Sequence, residues 1–324
     1  MAEILGIGCS HAPMILNPPE EWGRLREWLY ATYNPNYQAP PQVLTELGED
    51  NGLSADRRNH QRIVDAFAVL RDKLHAWNPD VLMVIGDDQA ENFKLDNLPT
   101  FCLYTGQEVE AYPFHRPVNH INNWGAPPDA RYTFRCPSEF AQRLRDHLIS
   151  EGFDTASSNA LKGWEWGLAH AIINPLTFLD PEGRFPLLPL FVNSIGVDLG
   201  PGYQPRPTPK RCYELGRGIR RFFDGRSERV AVVASSSWSH NFLTHKFQGC
   251  AFDEEFDRRN LELLRQGKGS KLAELAPEEL QQSGDHELIN WIIALGIIGD
   301  KPAEIVDVLD AQLQVSFKVF AHWE

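Results

Sequence analysis

Cysteine is scarce in this chain of 324 residues, and its five copies are scattered without a Cys-x-x-Cys pair. An odd number of dispersed cysteines argues against a disulfide framework or a zinc knuckle as the basis of the fold. Positive charge is also short, since 31 lysines and arginines face 44 aspartates and glutamates and give a formal net charge of -13. Nucleic acid and anionic membranes both need a basic face, so we expect a small molecule or another protein as the main partner.

Long hydrophobic runs are absent too. The purest apolar stretch, Trp291 to Ile298, is far too short to cross a bilayer. Residues 1–3 lack the positive start of a secretion signal. We therefore expect a cytoplasmic protein without a membrane role. Because no internal repeat, low-complexity tract or convincing linker divides the chain, residues 1–324 are predicted to form one domain.

Strand and helix patterns alternate along the chain. Four apolar runs predict buried strands: Ile4 to Gly8, Val81 to Ile85, Leu187 to Val192 and Val230 to Ala234. Helical spacing and capping signals predict helices at His60 to Trp77, Pro209 to Phe223, 253–265, 277–282 and 285–297. This alternation predicts an α/β fold. Residues 17–54, rich in proline and aromatic residues, interrupt it as an elaborated loop with one short helical stretch, either a lid or a subunit contact.

Polar residues follow each of the four predicted strands. They are His11 after the first, Asp87-Asp88-Gln89 after the second, Asn193 after the third and Ser239-His240 after the fourth. Ligands of open α/β sheets gather beyond the carboxyl ends of the strands, so these residues are predicted to share one site. His60 also qualifies, because a helix that runs antiparallel to the strands begins near the same edge.

The eleven histidines do not carry equal weight. An ordinary structural or surface role is expected for His75, His115, His120, His147, His245 and His322. His11 and His240 end apolar strands, where a functional role is favoured, whereas His170 is balanced between a helix cap and a site residue. Two imidazoles and one carboxylate suit a ferrous ion that keeps positions open for substrate and O2.

The carboxylate has competing sources. Glu287 alone is typical of a first-turn acid that complements a helix dipole. The cluster Asp253-Glu254-Glu255 allows the same interpretation.

Several short motifs occur in a characteristic order. They are Ser10-His11-Ala12-Pro13, Gly86-Asp87-Asp88-Gln89, His170 with Asn174-Pro175-Leu176, Phe191-Val192-Asn193, Arg211 to Gly216, Ser239-His240, and Glu287 with Asn290-Trp291. In this order and spacing the chain resembles, over nearly its whole length, the class III or LigB-type extradiol ring-cleaving dioxygenases, which include protocatechuate 4,5-dioxygenase. The resemblance implies a central mixed sheet flanked by helices. It also implies an oxidoreductase that opens a catechol- or gallate-type ring with both atoms of O2 at Fe(II), and even-numbered homo-oligomers are the ordinary expectation for such enzymes.

By this resemblance, His11 matches the first iron-binding histidine and Glu287 the iron-binding carboxylate. His240 matches the catalytic acid/base histidine, and His170 matches a second active-site histidine. One position departs from the pattern. The best-known members carry an Asp-His pair after the second strand, where this chain has Asp88-Gln89.

Three explanations of this departure are open. Gln89 could bind the metal through its carbonyl oxygen, His60 could reach the metal from the preceding helix, or the site could be impaired. We favour His60, because a neutral imidazole is a better ferrous ligand than an amide. Two other functions also fit the sequence: a hydrolase that uses the same ligands to hold Zn(II), and a non-catalytic binding or regulatory protein.

Overall fold

An eight-stranded sheet forms the centre of the computed structural model, which describes residues 2–161, 167–196 and 204–324. The strands of the described residues, including a separate two-stranded ribbon of β4 and β5, are β1 (Ile4–Cys9), β2 (Val81–Asp87), β3 (Phe101–Tyr104), β4 (Glu108–Ala111), β5 (Tyr132–Arg135), β6 (Ala156–Ser158), β7 (Leu187–Val192), β8 (Val230–Ser235), β9 (Glu304–Leu309) and β10 (Lys318–Trp323). In the large sheet the order is β6-β3-β7-β2-β8-β1-β10-β9.

The four central strands, β7, β2, β8 and β1, are mutually parallel. Antiparallel pairing of β3 with β7, of β10 with β1 and of β9 with β10 makes the sheet mixed. All four strands predicted from apolar runs are these central strands. The predicted α/β fold with a mixed sheet flanked by helices is therefore confirmed.

Helices cover both faces of the sheet. Those of the described residues are α1 (Trp22–Tyr33), α2 (Pro41–Leu47), α3 (Leu53–Trp77), α4 (Ser138–Ser150), α5 (His170–Leu179), α6 (Pro209–Asp224), α7 (Glu254–Arg265), α8 (Pro277–Ser283) and α9 (Leu288–Ile298). None of them is long and apolar enough to span a bilayer.

Side chains alternate along the central strands and supply two separate cores. On β2, Met83 and Ile85 face the core beneath α4, α6 and α9, whereas Leu82 and Val84 face the core beneath α3 and α5. Helices cover both faces of the central strands, so the side chains on both faces are buried. This explains why the sequences of these strands are continuous apolar runs. The sheet, packed between its two cores, fixes the positions of the residues at the carboxyl ends of the strands.

Residues 17–54 contain more helix than the sequence predicts. Helices α1 and α2 lie within this segment, and a buried ion pair joins it to the main body, with the Arg26 guanidinium donating to both oxygens of Asp56 on α3 at 2.8 Å. Helix α3 itself begins at Leu53, after Gly52 in a left-handed conformation. His60 therefore lies about two turns inside this helix and not at its start.

Candidate metal centre

Three buried side chains meet at the carboxyl edge of the parallel strands. His11 follows β1, Asp87 ends β2 and Glu287 immediately precedes α9. His11 Nε2 lies 3.1 Å from Glu287 Oε2 and 3.6 Å from Asp87 Oδ1. One potential ligand atom from each residue lies within 4.8 Å of the other two. The convergence of one imidazole and two carboxylates makes this edge a candidate metal centre.

The ring of His11 is held from its far side. Ser235 Oγ, at the end of β8, lies 3.1 Å from His11 Nδ1 and 2.5 Å from the carbonyl oxygen of Ala171. The single hydroxyl proton of Ser235 bonds to that carbonyl, so the hydroxyl oxygen must accept from Nδ1–H. A neutral His11 then presents the lone pair of Nε2 to the two carboxylates, which is the tautomer that a metal ligand requires.

Glu287 reaches the strands because α9 packs very closely on β1. A Cβ at Gly8 would lie 2.2 Å from the ring of Trp291, one turn after Glu287, so this approach is open to glycine alone. Gly284, at φ 69°, ends α8 and accepts a hydrogen bond from the backbone N–H of His240 through its carbonyl oxygen. These two glycines bring β1, α9 and the segment after β8 to the same edge.

The electrostatics of the cluster favour a cation. Burial opposes the charged imidazolium, but the Glu287 and Asp87 carboxylates raise the pKa of His11 to about 9. Burial likewise opposes ionisation of Glu287, yet His11 and His240 lower its pKa to about 2. Burial and the neighbouring Glu287 raise the pKa of Asp87. Glu287 Oε2 is buried and faces His11 Nε2 at 3.1 Å, with no other polar partner among the described residues.

The amide of Gln89 lies on the outer side of the two carboxylates. Its Nε2 donates to Asp87 Oδ2 at 2.8 Å and to Glu287 Oε1 at 3.0 Å. The opposite amide orientation would set the carbonyl oxygen against two carboxylates. Gln89 is therefore at the site, but with its nitrogen and not its oxygen towards the cluster.

His60 is not brought to this cluster. Its Nε2 pairs with Asn123 Oδ1 at 3.0 Å, and its ring packs edge-on against Trp22. The physical reason is the early start of α3, which carries His60 away from the sheet edge. Within the described residues, the third side chain of the cluster is that of Asp87 and not that of His60, which the sequence led us to expect.

His170 and His240 both line the cavity above the cluster. His170 begins α5, its ring edge-on to that of His11 at 4.9 Å, and its Nδ1 pairs with Glu91 Oε1 at 2.6 Å. Burial and the charge of Arg116 lower the pKa of His170. Burial also lowers the pKa of His240, whose Nδ1 is buried without a hydrogen-bond partner. The lowered pKa values favour the neutral form of both rings.

Sequence reasoning missed Glu91 and Arg116. Glu91 accepts from the backbone N–H and the ring of His170, and Arg116 forms an ion pair with Glu91. Asp88 folds the turn that carries Glu91, because its carboxylate accepts the backbone N–H groups of residues 91–93. An acid four residues after a buried strand was a usable signal for Glu91, whereas nothing local marks Arg116.

The cavity above the cluster measures about 240 Å³. His11, Gln89, Glu287, His170 and His240 form its polar end. Its other walls are mainly apolar, and helix α1 contributes Leu25, Trp28, Leu29 and Tyr33 at helical spacing. The segment that we expected to be a lid or a subunit contact therefore supplies a cavity wall.

The fold and the site together define an α/β protein with a buried cluster of potential metal ligands beneath a small, mainly apolar cavity. Residues 45–315 match the family model described as the catalytic LigB subunit of aromatic ring-opening dioxygenase, and the chain belongs to this family. Membership implies a metal cofactor, and the donors present fit a divalent ion.

The names of curated relatives agree with the description of this family. The chain is 28% identical over 179 residues to a 2,3-dihydroxyphenylpropionate/2,3-dihydroxicinnamic acid 1,2-dioxygenase of Pseudomonas putida, a match that covers 55% of this chain and 49% of that protein. It is 29% identical over 182 residues to the enzyme of the same name from Mycobacterium sp. (strain MCS), covering 55% and 49%. The chain spans about half the length of the curated relatives it matches.

A solved structure shares the fold. The crystal structure of an uncharacterized protein from Escherichia coli K12 is similar with a TM-score of 0.50 and 16% identity. The match covers 81% of this chain and 92% of that chain. At this identity the likeness concerns the fold alone.

Proposed function

We propose that this protein is a non-haem Fe(II)-dependent extradiol dioxygenase that opens the ring of a catechol- or gallate-type aromatic with O2. The observation that carries the proposal is the buried His11–Glu287 pair at the polar end of a cavity that also holds two neutral histidines. Fe(II), when bound, would supply a centre that draws a diol and O2 together and passes electrons between them.

His240 is the proposed acid and base. Because burial keeps its imidazole neutral, it can accept a proton from a phenolic hydroxyl at neutral pH and later return it. The receiving atom would be Nε2, since Nδ1 is buried. Glu91 fixes His170 through Nδ1, so that Nε2 is left to orient a substrate hydroxyl.

The shape of the cavity supports a flat aromatic substrate. A volume of about 240 Å³ accepts one ring with a modest substituent, and apolar walls exclude water from it. The relatives named for dihydroxyphenylpropionate act on such a ring, and we extend that substrate class, an aromatic vicinal diol, to this chain.

The test is an anaerobic reconstitution. The protein is purified without O2 and loaded with Fe(II), and then O2 uptake and near-visible absorbance of ring-opened product are followed across a panel of catechols and gallates. We expect stoichiometric O2 uptake with at least one diol, and none from a Zn(II)-loaded control. Stoichiometric iron without O2 uptake on any diol would overturn the proposal, and hydrolysis by the Zn(II) form would favour the hydrolase.

A further inference from the structure

The third protein ligand of the metal centre is the least expected part of the site. Neither residue suggested by the sequence is placed to serve: His60 pairs with Asn123, and Gln89 turns its amide nitrogen towards the cluster. Asp87 instead ends β2 at the floor of the site, fully buried.

The two carboxylates are oriented as a pair of ligands would be. Each has an outer oxygen bonded to Gln89 Nε2, namely Asp87 Oδ2 and Glu287 Oε1. Each therefore turns its other oxygen, Asp87 Oδ1 or Glu287 Oε2, towards His11 Nε2. Asn290 Nδ2 also donates to Asp87 Oδ1 at 3.2 Å and to the carbonyl of Ser235 at 3.0 Å, which ties β2 to β8 below the site.

Charge provides a second, independent argument. Two carboxylates repel each other in a buried site unless a cation lies between them, and an unpaired buried charge is costly. A divalent ion with two carboxylates and a neutral imidazole is neutral overall. Gln89 contributes to the same balance, since an imidazole in its place could add a ligand but could not donate to both outer oxygens at once.

We propose that His11, Asp87 and Glu287 together hold the cation, as a one-histidine, two-carboxylate site bridged on its outer side by Gln89. The assignment rests on the proposed function in one respect, that the site binds a divalent metal. Carboxylate oxygens suit Mn(II), whereas imidazole nitrogens suit Fe(II) and Zn(II). We therefore expect the site to bind one ion, which can be either Mn(II) or Fe(II).

The experiment measures metal binding and not turnover. Metal-free protein comprising residues 1–324 is titrated with Mn(II), and free Mn(II) is followed by electron paramagnetic resonance. Asp87→Asn keeps the shape of the side chain and is expected to weaken Mn(II) binding on the order of 100-fold, whereas Gln89→Ala should weaken it about tenfold. Asp180→Asn is the matched control, because Asp180 is equally buried but sits at the far end of α5. His60→Ala should bind Mn(II) like the wild type.

Each opposite result decides against the assignment. Wild-type Mn(II) affinity in Asp87→Asn overturns it, as does loss of binding in Gln89→Ala or His60→Ala with Asp87→Asn unaffected. Should Asp87→Asn fail to fold, a wild-type crystal soaked in Mn(II) replaces it: the anomalous peak must lie within bonding distance of His11, Asp87 and Glu287. A protein that binds Mn(II) through Asp87 but consumes no O2 with any diol would retain this assignment and lose the proposed function. A wild type that binds neither metal would lose both.

Discussion

Ser235 Oγ lies between the Nδ1 atom of His11 and the carbonyl oxygen of Ala171, at 3.1 and 2.5 Å. It thereby links the end of β8 to the first turn of α5 and to His11, two residues after β1. Because the hydroxyl has one proton, its bond to Ala171 fixes the tautomer of His11. Ser235, which is not itself a proposed metal ligand, thus determines which nitrogen His11 offers to a metal.

Ser235→Ala is expected to weaken divalent metal binding about 10- to 100-fold, because His11 loses the acceptor that orients its ring. Equilibrium dialysis of the metal-free protein against Mn(II) measures this. Ser236→Ala is the matched control, since the neighbouring Ser236 hydroxyl is buried without a hydrogen-bond partner. Equal affinities for the two variants would contradict the role given to Ser235.

His240→Gln is expected to lower kcat by about 10²- to 10⁴-fold with bound iron unchanged, because an amide cannot take up the phenolic proton. Initial rates of O2 uptake and iron content, measured on the same samples, check both parts. The exposed His245 provides the control, and His245→Gln should keep wild-type kcat. If His240→Gln loses iron in proportion to activity, the residue holds the metal and is not the acid and base.

Gly8→Ala is expected to reduce the free energy of unfolding by about 1–3 kcal/mol, because the new methyl group would overlap the ring of Trp291. Any outward shift of α9 would carry Glu287 with it, so metal affinity should fall as well. Urea unfolding measures the stability change. Gly225→Ala is the control, because a Cβ there meets nothing within 4 Å at an ordinary φ of -85°; similar losses in both variants would argue against the close packing.

Lys318 gives a prediction for the pH dependence of stability. Its ammonium is buried and donates to the carbonyl oxygens of Gln314 and Ser316, and burial lowers its pKa to about 7. The unfolded lysine titrates near 10.4, so between these two values the unfolded state binds more protons and stability rises with pH. The cost of burying the charge is full below pH 7 and is relieved as pH approaches 10.4.

Lys318→Met removes this titration. The wild type should gain stability relative to the variant as pH rises. The unfolding free energy of the variant minus that of the wild type should therefore decrease by about 1.4 kcal/mol per pH unit between pH 7 and 9.5. Urea unfolding at several pH values measures the difference, in which titrations common to both proteins cancel. A difference that does not vary with pH would mean that the three oxygens around Lys318 keep it charged.

The sequence predicted the central strands more completely than it predicted the side-chain contacts within the site. Apolar runs located β1, β2, β7 and β8, because parallel strands buried on both faces leave an unbroken signal. The start of α3 was not predicted correctly. The helix begins at Leu53, after Gly52 in a left-handed conformation, so His60 lies within the helix and away from the sheet edge.

Contacts between residues that are distant in the sequence could not be predicted. Asp87 was recognised as a residue at a strand end, but its partners His11, Gln89 and Glu287 depend on side-chain directions that spacing does not encode. That residues 1–324 form one domain and assemble as a homo-oligomer stays a prediction.

Helix α1 offers a test of the cavity wall that is separate from the metal. Trp28 lines the cavity with 52% of its surface exposed, so part of the indole is available to a substrate substituent. Losing roughly 60 Å² of apolar contact at about 25 cal/mol per Å² costs about 1.5 kcal/mol, or about tenfold in KM. Trp28→Ala should therefore raise KM for catechols with an apolar side chain and leave KM for unsubstituted catechol nearly unchanged. Trp124→Ala, which removes a 42% exposed tryptophan outside the residues found to line the cavity, should change neither value. An equal rise for both substrates in Trp28→Ala would mean that α1 supports the fold of the site and does not contact the substituent.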